Sequence, residues 1–319
     1  MTQHLILGGS GFIGRHVALG LARRGARVTI ADLAPPPAAL ADLSVGYAAV
    51  TPGRIDWEAL IADHTVIHHY AWSTIPQTAN DNPLGDLDDN VRATLGLLEA
   101  LRHRAGSRLI FSSSGGTVYG RLRQVPAPED HPLAPITAYG VSKAAVELYL
   151  GFYRAHHGLD CRVARISNPF GAGQDARRKQ QGAVSAFLFK ALDGEEITIW
   201  GDGSVVRDYI HVADLTRGLI ALAEAPPTGQ TDLPVHNLGS GAGVSLNEIL
   251  DTLRDRLGLA PRVRTLPGRP FDVPASVLDI RTAREVLGWA PRLGFADGCA
   301  RMLDDLRAGR DTFSTLFPD

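Results

Sequence analysis

The segment GGSGFIG at residues 8–14 limits what this chain can fold into more than any other stretch. It follows a short apolar run at 4–7 that reads as a buried strand. It precedes 15–24, where Val17, Leu19, Leu21 and Ala22 give a mostly apolar helix. Strand, glycine turn and helix in that order make a phosphate cradle. Gly8 permits the tight turn, Gly11 leaves no side chain between the backbone and a pyrophosphate, and Gly14 lets helix and strand pack closely. The start of the helix, at Phe12 and Ile13, offers free N–H groups and the positive end of a helix dipole.

The spacing is GxxGxxG rather than GxGxxG, and a glycine triplet alone also fits an ordinary Gly-rich loop. A second strand at 27–31 decides between the two readings, because it ends at Asp32, eighteen residues after Gly14. An acid at about that distance holds the ribose hydroxyls of NAD. Its charge repels a 2′-phosphate, which favours NAD over NADP.

Composition narrows the remaining classes. A chain of 319 residues can bury one large core or two modest ones. The formal charge of −2 gives no electrostatic case for a nucleic-acid or acidic-membrane partner. Cys161 and Cys299 cannot form a disulfide framework, and each reads as a packed small residue. No charged-then-apolar leader precedes the first strand and no apolar run approaches a membrane span, so a cytoplasmic protein is expected.

Further strands are expected at 44–50, 65–69, 108–111 and 161–166, and helices at 57–62, 83–104 and 139–157. This alternation predicts an α/β fold, a Rossmann-type doubly wound parallel sheet. Ligands bind such sheets at the C-terminal strand ends, where Asp32, residues 69–74 and residues 112–117 all fall. From Asn168 the texture changes to a Gly- and Arg-containing stretch, then a helix at 183–192 and strands at 197–200 and 207–211. The expectation is a smaller α/β substrate-binding lobe, discontinuous in sequence. Residues 1–167 with about 204–236 would form the NAD-binding domain, and about 168–203 with 237–319 the second lobe.

Tyr139 and Lys143 are four apart on a helix and share one face. A tyrosine ionises near pH 10 in isolation, so a base at neutral pH needs a cation beside it. Lys143 supplies one, and a bound oxidised nicotinamide would add a second. The YxxxK pattern alone recurs by chance on surface helices. Behind a glycine turn and 22 residues after a hydroxyl-rich strand end, it reads as a catalytic pair.

With these residues in hand, the chain resembles the extended short-chain dehydrogenase/reductases, in particular the UDP-glucose 4-epimerase-like nucleotide-sugar enzymes. The resemblance rests on GGSGFIG at 8–14, SSSGGTVYG at 112–120, YGVSK at 139–143, RISNPFG at 165–171, GDGSVVRDYIHVADL at 201–215 and HNLGSG at 236–241. It implies inversion at C4 of a UDP-hexose through a 4-keto intermediate, with NAD retained and regenerated. UDP-glucose/galactose and UDP-N-acetylglucosamine/galactosamine are both candidate substrates. It implies Tyr139 as the base, Lys143 as its partner and a hold on the nicotinamide ribose, and Ala71 and Asn90 at the cofactor. On the substrate side it implies Asn168 and Arg207 at the diphosphate, Arg269 as a second diphosphate arginine, Asp272 at the uridine ribose, and Ile199 and Trp200 beside the uracil. It also implies a homodimer joined by a four-helix bundle that pairs the helices at 83–104 and 139–157. Neighbouring chemistries, a UDP-uronate epimerase, decarboxylase or reductase, stay open, as does a non-catalytic dinucleotide-binding protein.

Three positions depart from the family pattern. Gly115 stands where the catalytic Ser or Thr is expected, so Thr117, with Ser114 beside it, is the candidate hydroxyl. Arg54 stands where an acid contacts adenine. Ser276 stands at a position that limits pocket size, and its small side chain leaves room for an N-acetyl group. Other features have plainer readings. Adjacent histidines in a strand, such as His68 and His69, face opposite ways and cannot jointly hold a metal. Trp57, Trp72 and Trp289 read as core or rim aromatics, although relatives carry a small residue where Trp72 stands.

Overall fold

The computed structural model describes residues 2–174, 182–227, 232–268 and 273–312. Its larger layer is a parallel sheet of seven strands: β1 (Gln3–Leu7), β2 (Arg27–Asp32), β3 (Val45–Ala49), β4 (Val66–His69), β5 (Arg108–Ser114), β6 (Asp160–Ile166) and β10 (Val235–Leu238). Their spatial order is β10-β6-β5-β4-β1-β2-β3. The central strands are buried along nearly their whole length, as a sheet covered on both faces requires. On one face α1 (Phe12–Arg23) packs against α8 (Val212–Glu224). On the other lie α5 (Ala93–Leu101) and α6 (Ala138–His157). Each face has its own apolar core, one around Ile6, Val17, Ile30 and Leu219, the other around Leu5, Ile67, Leu98 and Phe111. The strand order reverses between β1 and β4, which opens a crevice at their C-terminal ends. The Rossmann-type doubly wound sheet expected from the sequence is present.

The smaller layer is built on β9 (Val206–His211). It pairs with β7 (Asn168–Phe170) and β13 (Ala275–Ser276) in parallel and with β11 (Gly243–Ser245) antiparallel. A separate parallel pair joins β8 (Glu196–Trp200) to β12 (Arg262–Leu266). With α7 (Ala183–Leu192) these elements enclose a third core around Phe187, Ile197, Ile199 and Tyr209. The boundary drawn at 204–236 gathers β9, α8 and the first part of β10. In the sheets, β9 pairs within the smaller layer, while β10 edges the larger one. The chain passes from β9 into α8 with no loop, and His211 caps the helix by accepting from the Ala213 N–H.

Two local features differ from the periodic reading. The expected helix at 83–104 begins as α4 (Pro83–Asp86) and runs on through a wide π-type turn, Leu87–Arg92, before α5. Such turns recur at functional sites, and Asn90 lies in this one. A short helix, α3 (Pro76–Asp81), fills a stretch the sequence left unassigned, with Pro76 fixing its first position. No helix among the described residues is long and apolar enough to cross a membrane.

Candidate active site

The glycine turn is as tight as its sequence demands. Gly8 has φ +76, and a Cβ there would lie 2.6 Å from the Ala71 nitrogen. A Cβ on Gly14 would lie 2.2 Å from the Gly8 carbonyl oxygen, and one on Gly11 would lie 3.1 Å from it. Helix α1 begins with no side-chain cap and no acid in its first turn, so Phe12, Ile13 and Gly14 start a helix open to an anion. Asp32, at the end of β2, accepts from the Ser10 N–H at 2.9 Å and from the Ala34 N–H at 3.2 Å. Its carboxylate is half-buried and retains lone pairs for ribose hydroxyls. A narrow cradle, an uncapped helix start and an acid on the adjacent strand together fit a dinucleotide. Arg54 lines a separate depression of about 450 Å³ beyond β3, together with Val50, Thr51 and Ile55.

Tyr139 and Lys143 lie in the first turns of α6. Thr137 caps this helix by accepting from the Gly140 N–H at 3.1 Å, and Asn80 of α3 accepts from the Ala138 N–H at 2.8 Å. Both caps fix the helix start one residue either side of Tyr139. A Cβ on Gly140 would lie 2.9 Å from the Thr117 carbonyl oxygen, so glycine lets α6 begin against the loop that carries the candidate hydroxyl. Lys143 is 2% exposed and donates to the Ser112 carbonyl at 2.7 Å. Its nitrogen lies 5.6 Å from the Tyr139 ring centroid. Burial holds the Lys143 ammonium well below its ordinary value, opposed by the nearby Asp86 and Glu147 carboxylates. Burial first, then Asp86, raises the Tyr139 phenol. Without an added cation this phenol stays protonated.

Asn90 is the hub of a buried polar cluster. Its side-chain oxygen accepts from the Ser73 N–H at 2.9 Å, and its amide donates to Asp86 at 3.0 Å. Asp86 also accepts from Thr74 and from Ser142 of α6. This cluster ties the loop after β4, where Ala71 sits, to α6. Asp86 was not singled out from the sequence, although its place four residues before Asn90 sets both on one side of a helix.

Around Gly115 the structure leaves no room for a side chain. A Cβ there would lie 2.6 Å from Leu278 and 3.3 Å from the Arg165 carbonyl oxygen. Ser114 ends β5, and Thr117 donates weakly to the Ser114 carbonyl at 3.5 Å. Both hydroxyl residues are half-buried.

A cavity of about 630 Å³ is reached by Asn168, Arg207 and Trp200 from the expected set. Asn168 donates to the Asp208 carbonyl at 2.9 Å, and Arg207 to the Val206 and Val273 carbonyls. Ser276 is buried opposite Arg207 in the β9–β13 pairing. Alternation along β8 puts Thr198 and Trp200 at the cavity and Ile199 in the core of the smaller lobe. Arg269 and Asp272 lie outside the described residues. Gln77, Lys190 and Tyr209 also line the cavity and were not read from the sequence. A lone lysine in the apolar run AVSAFLFKAL was the available signal for Lys190. Two cations and no carboxylate stand among the described lining residues, which suits an anionic ligand.

Residues 4–239 match the profile of the NAD dependent epimerase/dehydratase family. The chain belongs to that family. NAD is accordingly its cofactor. This family member is 30% identical over 321 residues, 97% of this chain and 99% of the relative, to the putative UDP-glucose 4-epimerase of Methanocaldococcus jannaschii. Its structure resembles the UDP-glucose 4-epimerase of Thermotoga maritima crystallised with UDP-glucose, with TM-score 0.88 and 31% identity over 97% of this chain and 99% of that one. It also resembles the Thermus thermophilus UDP-glucose 4-epimerase in complex with NAD, with TM-score 0.83 and 30% identity over 96% of this chain and 99% of that one.

Proposed function

We propose that this NAD-dependent family member is an isomerase that inverts C4 of a UDP-hexose. The observation that carries the reading is the pairing of Tyr139 with Lys143, whose nitrogen lies 5.6 Å from the phenol ring centroid, in a chain whose cavity is lined by Arg207 and Lys190 with no carboxylate in its described lining. NAD, when bound, supplies the acceptor and donor of hydride. Tyr139 takes the proton of the sugar C4 hydroxyl and later returns it. The Lys143 ammonium lowers the phenol toward ionisation and holds the nicotinamide ribose. Thr117, with Ser114 in reserve, donates to the sugar oxygen as its charge changes. Asn168, Arg207 and Arg269 grip the diphosphate, Asp272 the uridine ribose, and Trp200 flanks the uracil, while Ile199, expected beside it, packs into the core instead. Binding energy from that handle positions the sugar while leaving it free to turn over.

In this reading the seven-stranded lobe, with Gly8, Gly11, Gly14, Asp32, Ala71 and Asn90, holds the cofactor, and the lobe built on β9 holds the nucleotide sugar. Val141, Leu148 and Phe152 on α6 and Leu84 on α4 expose apolar surface, with Leu148 at 72% and Leu84 at 77%. A homodimer joined through a four-helix bundle would cover it. Two buried unpaired cysteines suit a cytoplasmic location.

The test is to incubate the protein with UDP-glucose, UDP-N-acetylglucosamine and UDP-glucuronate and identify products by NMR. Interconversion at C4 without added NAD supports the proposal. Absence of C4 inversion in all three overturns it.

A further inference from the structure

The loop after β4 places Trp72 where its ring lies between Phe111 and Tyr139, with centroids 6.0 Å from each. The Lys143 nitrogen stands 3.5 Å from the centroid of the indole ring and 4.8 Å from that of Phe111. Its one hydrogen-bond acceptor among the described residues is the Ser112 carbonyl. No carboxylate there is in ion-pair contact with it. A buried ammonium with one carbonyl and no counter-ion in contact loses its proton readily. An indole face directly over the charge opposes that loss, since indole has the strongest quadrupole of the aromatic side chains and its attraction grows when water is excluded.

The other end of Trp72 argues the same way. Its indole N–H is enclosed and makes no hydrogen bond. A buried donor without a partner is destabilising. The polar end therefore does not explain why the ring sits here, whereas its face over Lys143 does.

We propose that Trp72 is a positioning residue whose ring face keeps Lys143 charged and held against Tyr139. The inference rests on the reading of Tyr139 and Lys143 as the catalytic pair. The charged or titratable groups facing Lys143 are Tyr139 and Glu147 on its own helix, Asp86 on α4 and His69 on β4. Asp86 and Glu147 favour its charge and His69 stays neutral. Trp72 adds the nearest aromatic face to the nitrogen, at 3.5 Å against 4.8 Å for Phe111 and 5.6 Å for Tyr139.

The variants are Trp72→Leu, which keeps an apolar but smaller side chain without a π face, and Trp72→Phe, which keeps a π face and removes the orphan N–H. Trp72→Met substitutes if the leucine variant fails to fold. In C4 interconversion, W72L should narrow the pH–rate bell. Its acidic limb, where Tyr139 ionises, should rise and its alkaline limb, where Lys143 discharges, should fall, each by about half a unit to one unit. W72F should restore the limbs toward those of the native protein. A second readout needs no turnover: lysine labelled with carbon-13 at Cε, with the Lys143 signal assigned by K143R, is titrated by NMR in the NAD-bound protein. Lys143 should discharge at lower pH in W72L than in the native protein. If W72L and W72M leave that titration unchanged, or if W72F moves it as far as W72L does, the proposal is overturned. An altered titration in a protein that turns over no UDP-sugar would sink the reaction reading and leave the role of Trp72 standing.

Discussion

The main-chain N–H of Ser10 donates to the Asp32 carboxylate at 2.9 Å, which fastens the glycine turn to the end of β2. One residue thus shapes the glycine turn and, in the proposed reading, also serves the ribose. Replacing Asp32 by asparagine keeps an acceptor for Ser10 and removes the charge that repels a 2′-phosphate. D32N should fold normally and shift the ratio of NAD to NADP affinity toward NADP by about tenfold, or ~1.4 kcal/mol. Calorimetric titration with both dinucleotides checks this. An unchanged ratio would remove Asp32 from the ribose site.

Thr117 and Ser114 compete for the hydroxyl role that Gly115 cannot fill. A serine at 115 would meet Leu278, so G115S should lose stability rather than gain rate. T117V should lower kcat by about a hundredfold with a smaller change in KM, as loss of a transition-state donor does. S114A should cost less. Steady-state rates on the preferred UDP-sugar decide between them, and the assignment is wrong if both variants keep full activity.

The glycine turn and Asp32 could be placed from sequence because they stand at a fixed offset within one strand–turn–helix–strand unit, and Tyr139 and Lys143 because residues four apart on a helix share a face. The sheet was legible for the same reason, as the strands are short apolar runs punctuated at regular spacing. Pairings across long separations were not. Ser276 meets Arg207 only because β13 adds to β9, and nothing in a two-residue strand announces its register. Gln77 and Lys190 reach one cavity from helices more than a hundred residues apart. The wide turn at Leu87–Arg92 was hidden because its apolar spacing still fits an ordinary helix. Ile199 and Trp200 read as a unit in sequence, but strand alternation sends one to the core and one to the cavity.

Ser276 offers a test of substrate choice. It is 6% exposed beside Arg207, so a tyrosine there must extend into free space or displace neighbours. If that space receives an N-acetyl group, S276Y should depress activity on UDP-N-acetylglucosamine about tenfold or more relative to UDP-glucose. The ratio of the two kcat/KM values is the readout. An unchanged ratio detaches Ser276 from the sugar.

Glu147 and Arg165 form a buried ion pair at 2.7 Å, with side chains 4% and 6% exposed. Ser113 donates to the same carboxylate, and Arg165 also reaches the Tyr119 hydroxyl at 2.9 Å and the Glu129 carbonyl at 2.7 Å. E147Q leaves the guanidinium buried without its counter-ion and should destabilise the fold by about 3–5 kcal/mol. Urea unfolding at neutral pH measures it. A loss under ~1 kcal/mol would mean that water or Glu129 takes over the charge.

His69 sets a pH dependence for stability. Its Nε2 lies 2.9 Å from the Thr94 hydroxyl, and Thr94 in turn donates to the Asn90 carbonyl at 2.7 Å. The hydroxyl therefore accepts from Nε2–H, while Nδ1 is enclosed with no hydrogen-bond partner. Burial, with a smaller push from Lys143, lowers this imidazole from 6.5 to about 3. Between those values the unfolded chain binds a proton that the native chain does not. Stability from His69 is thus complete above 6.5 and is lost as pH falls toward 3. Burial lowers His4 and His236 to about 4 and His211 to about 3, so their contributions add in the same direction. Unfolding free energy measured in urea from pH 7 to pH 4.5 should therefore fall steeply. In His69→Gln the slope should be smaller by about one proton, or ~1.4 kcal/mol per pH unit within the window. A slope equal to that of the native protein would show that His69 is already charged in the folded state.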